Sequence, residues 1–140
     1  MRKIVRSLAL ALVAMCGQAA RAEVVVIVSA QSEVEKLSSR QVANIYMAKD
    51  ACFPNGALAL PMDMHTGTAL RKKFYRKVVH RNAQQLRSYW SRRMATGIGQ
   101  PPREVGVNVD MKKLIADNPN TIGYITRSAV DASVRVVNVP

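Results

Sequence analysis

The segment Pro61–Phe74, PMDMHTGTALRKKF, gathers the residue types in this sequence that could do chemistry. Thr66-Gly67-Thr68 falls where an amphipathic helix should begin. A helix start leaves N–H groups unpaired at the positive end of the helix dipole, which favours an anion. Two hydroxyls add donors, the glycine allows close backbone approach, and Arg71 lies one turn in. Read alone, the same three residues are most simply an ordinary helix cap. Met62, Met64 and His65 open a second reading, because thioether and imidazole ligands suit Cu(I). Against it, Met62 and Met64 would share one face of an extended segment, where methionine commonly fills core gaps. Asp63 beside His65 is a weak acid–base pair. With no nucleophile turn and no Cys/His metal spacing, the chain reads as a binding protein rather than an enzyme, with no cofactor.

Basic charge surrounds this segment. Of the chain's 140 residues, 21 are Lys or Arg and nine are Asp or Glu, a formal net charge of +12. Nine of the cations (Arg71, Lys72, Lys73, Arg76, Lys77, Arg81, Arg87, Arg92 and Arg93) lie between Arg71 and Arg93, a stretch without an acid. They occupy the helix faces left by Leu70, Phe74 and Val78, and so form a solvated flank. Such a flank draws anions, anionic headgroups or an acidic protein. No groove-reading motif accompanies the charge, so nucleic acid is not the expected partner.

The N-terminus sets the compartment. Arg2, Lys3 and Arg6 precede LALALVAMCG, an apolar run too short to span a bilayer, and Ala20-Arg21-Ala22 is a cleavage pattern. Residues 1–22 therefore read as a secretory signal peptide, cleaved near Ala22/Glu23, and 23–140 as one exported domain. Met15 before Cys16 argues against lipoprotein processing. Without the leader, seventeen basic residues stand against nine acidic ones, a balance of +8. Cys52 is then alone and can make no internal bridge, and it reads as a half-buried, inert thiol. No second apolar run of membrane length follows.

The elements that must position these residues can be read from periodicity. EVVVIVS is a strand buried on both faces. A first helix capped by Ser38 or Ser39 turns Val42, Ile45 and Tyr46 inward. Pro54-Asn55-Gly56 is a turn, and LALPM a second strand. A second helix presents Leu70, Phe74 and Val78, broadened by Tyr75 and Val79, and breaks at Arg81-Asn82. A third presents Ala83, Leu86, Trp90 and Met94. GIGQPP is a non-helical loop. A fourth helix, capped by Asn108 or Asp110, points Met111, Leu114 and Ile115 inward and stops at Pro119. TIGYIT and SVRVVNV close the sequence as strands. The order implies an α/β domain around a small sheet, and its strand-helix-strand units imply parallel pairing.

Three stretches, VVVIVSAQSEVEKLSSRQVANIYMAK, LPMDMHTGTALRKKF and GIGQPPREVGVNVDMKKLIADNPNTIGYIT, together resemble the phosphate-binding proteins of phosphate ABC transporters. The closer resemblance is to their short, single-domain periplasmic relatives, which implies that the exported domain, 23–140, is periplasmic. LIADNPNTIGYI is the most specific piece, and SSRQVANIYMAK matches a Leu-x-x-x-Gln-Leu-x-x-Ile-Phe-x-Gly-Lys element ending at Met47 and Ala48. The resemblance implies a single lobe of the type II periplasmic-binding-protein-like fold, a small mixed sheet flanked by about four helices. It implies weak binding of inorganic phosphate or a similar oxyanion at Thr66, Gly67, Thr68, Arg71 and Asp63, and a membrane permease or other envelope protein as partner. The family loop reads Arg-x-Asp-Gly-Ser-Gly-Thr, so Met62 stands at its arginine, Met64 at its aspartate and His65 at its first glycine. The chain also corresponds to only one of the two lobes that close on the anion. A domain that has lost its ligand and docks through its basic helix is the alternative, and Cu(I) at Met62, Met64 and His65 a further one.

Overall fold

The computed structural model describes residues 23–106 and 110–140; the leader read at 1–22 and Asn108 as an alternative cap lie outside them. Strand β1 (Val24–Ser29) is buried along its whole length, as its β-branched run requires. Helix α1 (Ser39–Tyr46) starts at a capping box in which Ser38 and Gln41 serve each other's backbone N–H, and it buries Val42, Ile45 and Tyr46. Strand β2 (Leu60–Asp63) leads through a short loop into α2 (Ala69–Phe74), which widens into a π-helical turn, Tyr75–Val79. Helix α3 (Ala83–Ala95) is capped by Asn82 and Gln85, and strand β3 is only Arg103–Glu104. Helix α4 (Met111–Ala116) is capped by Asp110; β4 (Thr121–Thr126), a 3-10 turn (Arg127–Ala129) and β5 (Val134–Asn138) follow.

The five strands form one sheet in the order β3-β2-β4-β1-β5. β4 runs parallel to β2 and antiparallel to β1, and β5 pairs antiparallel with the other edge of β1. The sheet is therefore mixed, and the expected parallel pairing across β1-α1-β2 is not formed. β4 enters between β1 and β2, and β1 runs opposite to β2. Period-2 alternation along β1 sorts the core into two layers. Val24, Val26 and Val28 face Tyr46, Phe74, Tyr75, Leu86 and Trp90; Val25 and Ile27 face Met62, Met111 and Ile115. Helices α1 to α3 cover the first face and α4 the second. Gly123 on β4 permits the latter contact, since a Cβ there would lie 2.9 Å from Ile115 Cδ1.

Three expectations change. Ala83 and Met94 are exposed, so the inward stripe of α3 is Leu86 and Trp90 alone. At the last turn of α3 the guanidinium of Arg93 reaches back to the carbonyls of Ala48 and Ile98 instead. Leu70 and Leu114 are half-buried at the margins of their layers. Cys52 is exposed, because its neighbour Phe53 takes the inward place beside the Pro54-Asn55-Gly56 turn. β3 had no counterpart in the sequence reading: a two-residue strand carries no periodicity to detect.

Candidate functional site

Asp63, the last residue of β2, is the centre of the candidate site. It is 3% exposed, and four donors converge on its carboxylate. Oδ1 accepts from the Tyr124 hydroxyl and from the Met64 N–H at 2.8 Å. Oδ2 accepts from the Tyr75 hydroxyl at 2.6 Å and from Arg71 Nε at 3.2 Å. A carboxylate offers about four lone-pair positions, so internal donors fill the acceptor capacity of Asp63. Burial first, and then the Asp63 charge and hydrogen bonds, hold Tyr75 and Tyr124 far above the ordinary tyrosine range. Burial also raises Tyr46, whose hydroxyl donates to the Met62 carbonyl at 2.8 Å. Phe74 stacks on Tyr124 with ring centroids 4.1 Å apart and closes this layer around the carboxylate.

Arg71 is the cation of the site. Partial burial alone would lower its pKa, but the Asp63 charge and hydrogen bond outweigh that and raise it. Its guanidinium also lies over the Tyr75 ring, 4.9 Å from the centroid. The side chain is thus held by an ion pair and a cation–π contact, and ordering it for a ligand costs little. Arg71 and Asp63, eight residues apart, form an ion pair with Arg71 Nε 3.2 Å from Asp63 Oδ2.

The loop between Asp63 and α2 carries the remaining candidates. Gly67 has φ +97 and open space around it, a left-handed conformation that a side chain would strain. Thr68 is the N-cap by backbone geometry, yet its side chain makes no cap bond. Its hydroxyl donates instead to the His65 carbonyl at 2.6 Å. An internal anion is also present. Oε1 of Glu104, on β3, accepts from the Thr66 N–H at 2.7 Å and lies 2.8 Å from His65 Nδ1. Sequence reasoning missed Glu104 because it lies 38 positions from Thr66, and only the pairing of β2 with β3 brings it there.

The methionine–histidine set is divided. Met62 packs in the layer under α4, Met64 is half-buried between the two layers, and exposed His65 turns Nδ1 to Glu104. Among the described residues no group of three or more His, Cys, Asp or Glu could hold a metal ion.

The mixed sheet and its helices are consistent with a single lobe of a periplasmic-binding-protein fold. The solved structures it resembles are phosphate-binding proteins. One is a Clostridium perfringens protein described as a phosphate ABC transporter substrate-binding protein with bound phosphate; TM-score 0.64 and 23% identity, over 82% of this chain and 44% of that one. An ABC-type phosphate transport receptor from Vibrio cholerae matches with TM-score 0.64 and 17% identity, over 82% and 45%. PstS from Borrelia burgdorferi matches with TM-score 0.60 and 10% identity, over 82% and 46%. The chain thus spans less than half the length of the structures it matches, and at these identities the likeness is one of fold. No family model and no curated protein sequence matches the chain. Among the described residues no helix is long and apolar enough to cross a membrane.

Proposed function

We propose that this chain is a periplasmic substrate-binding-like protein, not an enzyme, that takes inorganic phosphate or a similar oxyanion weakly at the Thr66-Gly67-Thr68 turn. The observation that carries this reading is Arg71, a guanidinium fixed by Asp63 and Tyr75 in the first turn after that turn. In this reading the Thr66 hydroxyl and the loop N–H groups donate to the anion, the Thr68 hydroxyl joins them by turning from the His65 carbonyl, and Arg71 supplies charge. Asp63 holds Arg71 in place. The fold likeness supports it, and one of the matching proteins has phosphate bound. Weakness follows from exposure, since Thr66 and Gly67 face solvent. An anion left facing water gains far less from each ionic contact than one enclosed in a closed cleft. A phosphate permease or another envelope protein is the proposed partner, and 1–22 the proposed export signal. Calorimetric titration of residues 23–140 with phosphate and sulfate tests the proposal, with dissociation constants expected on the order of 1 mM. No heat and no thermal shift at millimolar anion would sink it.

Glu104 favours a second reading. Its carboxylate already satisfies the Thr66 N–H, as it would in a domain that has lost its ligand and docks through the basic helix instead. A pull-down from envelope extract with Lys72→Glu/Lys73→Glu/Lys77→Glu separates the two. Unchanged partners would argue against docking by that flank.

A further inference from the structure

A groove of about 610 Å³ opens between α2, its π-helical continuation and the start of α3. That volume falls within the usual range for small-molecule sites, about 300–1,000 Å³. Arg71, Lys72 and Arg76 come from the helix, and His80 and Arg81 from the turn that follows; no Asp or Glu lines the groove. Its lining also contains the buried side chains of Tyr75 and Leu86. Two of the guanidinium groups are held by stacking, Arg71 on Tyr75 and Arg81 on Tyr89, each 4.9 Å from the ring centroid.

We propose that this groove is a second binding site, distinct from the Thr66–Thr68 turn, for an organic phosphate with an apolar body. The phosphate would pair with the guanidinium groups of Arg76 and Arg81, and the apolar body would lie on Ala83 and the alkyl stems of Lys72 and Arg76, above the buried Tyr75 and Leu86. Guanidinium favours this class because its planar fork pairs with phosphate oxygens two at a time. A bare inorganic ion gains little in an open groove, because exposed ionic contacts are weak. A ligand that also covers apolar floor adds the hydrophobic contribution, which separates the two kinds of anion. Arg71 serves both sites, so the test leaves it unchanged.

Phenyl phosphate and inorganic phosphate are titrated into the purified protein, with binding located by amide chemical-shift mapping. Phenyl phosphate is expected to bind at least roughly tenfold more tightly than inorganic phosphate, and to shift amides at 75–86. Arg76→Gln/Arg81→Gln is expected to lose about tenfold or more of that affinity, with its amide spectrum elsewhere unchanged. The proposal fails if phenyl phosphate does not saturate by about 10 mM, or binds the double variant equally well. It fails too if its shifts centre on 65–68. Loss of inorganic phosphate binding in Gly67→Val alone would bear on the loop site and leave the groove standing.

Discussion

At the scale of single residues, Asp63 and Glu104 hold the two ends of the proposed site, one through a buried network and the other through the Thr66 N–H. Asp63 holds together a buried network, so removing its charge should be felt as stability. Asp63→Asn leaves Arg71 without its counter-ion and is expected to cost about 3 kcal/mol or more in chemical denaturation. Tyr124→Phe deletes one donor to the buried carboxylate and should cost about 1.5–3 kcal/mol. Glu104 is exposed enough for its loss to be tolerated, and it competes for the Thr66 N–H. Glu104→Gln is therefore expected to tighten phosphate binding by roughly tenfold in calorimetry, about 1.4 kcal/mol, the scale of a charge-assisted hydrogen bond. Equal affinity in the variant would show that the carboxylate yields freely. The turn, Arg71 and Asp63 were all visible in PMDMHTGTALRKKF, because local spacing encodes a helix start. The four-donor network and Glu104 were not, since they depend on Tyr124 and β3, far away along the chain.

At the scale of elements, the end of α1 places an alanine in a turn conformation that favours glycine. The Ala48 N–H bonds the Ile45 carbonyl and the Lys49 N–H the Asn44 carbonyl, a helix-ending pair of bonds that requires a left-handed residue between them. Ala48 takes that conformation with φ 53, at the position where the resembling element has glycine. The left-handed cost for alanine is about 1–2 kcal/mol, and the extra freedom of glycine in the unfolded chain returns about 0.5–1 of it. Ala48→Gly should therefore stabilise the protein by about 0.5–1 kcal/mol in thermal or denaturant unfolding. At the other end of the helix, Ser38→Ala removes the cap and should destabilise by about 1 kcal/mol. The N-cap was readable from sequence because capping is local; the other end was not readable in this way, because alanine at position 48 carries no glycine signal. The π-helical turn and the exposure of Met94 were not, because they are set by what packs against the helix.

At the scale of the whole molecule, every strand but β3 was legible, and strand order was not. VVVIV and TIGYI announce buried strands through composition; which of them lie side by side is decided by long-range packing. The aromatic layer gives the assembled molecule a pH signature. Tyr46, Tyr75 and Tyr124 are all raised by burial, so the fold favours their neutral forms. That stabilisation is intact below the ordinary tyrosine pKa of about 10 and is lost progressively as pH rises above it. An alkaline absorbance titration should find these three hydroxyls ionising together with loss of structure, and gradual ionisation in a still-folded chain would contradict it. The register of β1 has a consequence for how the chain reaches its fold. Val24 pairs with Thr126 and Ser29 with Val134, so the first strand finds its partners only among the last twenty residues. Any process that delivers the chain N-terminus first leaves six buried-strand residues waiting without a neighbour. Folding dominated by such distant pairings falls in the millisecond-to-second range, and the waiting strand is open to aggregation until β4 arrives. Anything that shields β1 until β4 arrives would then raise the yield of native protein.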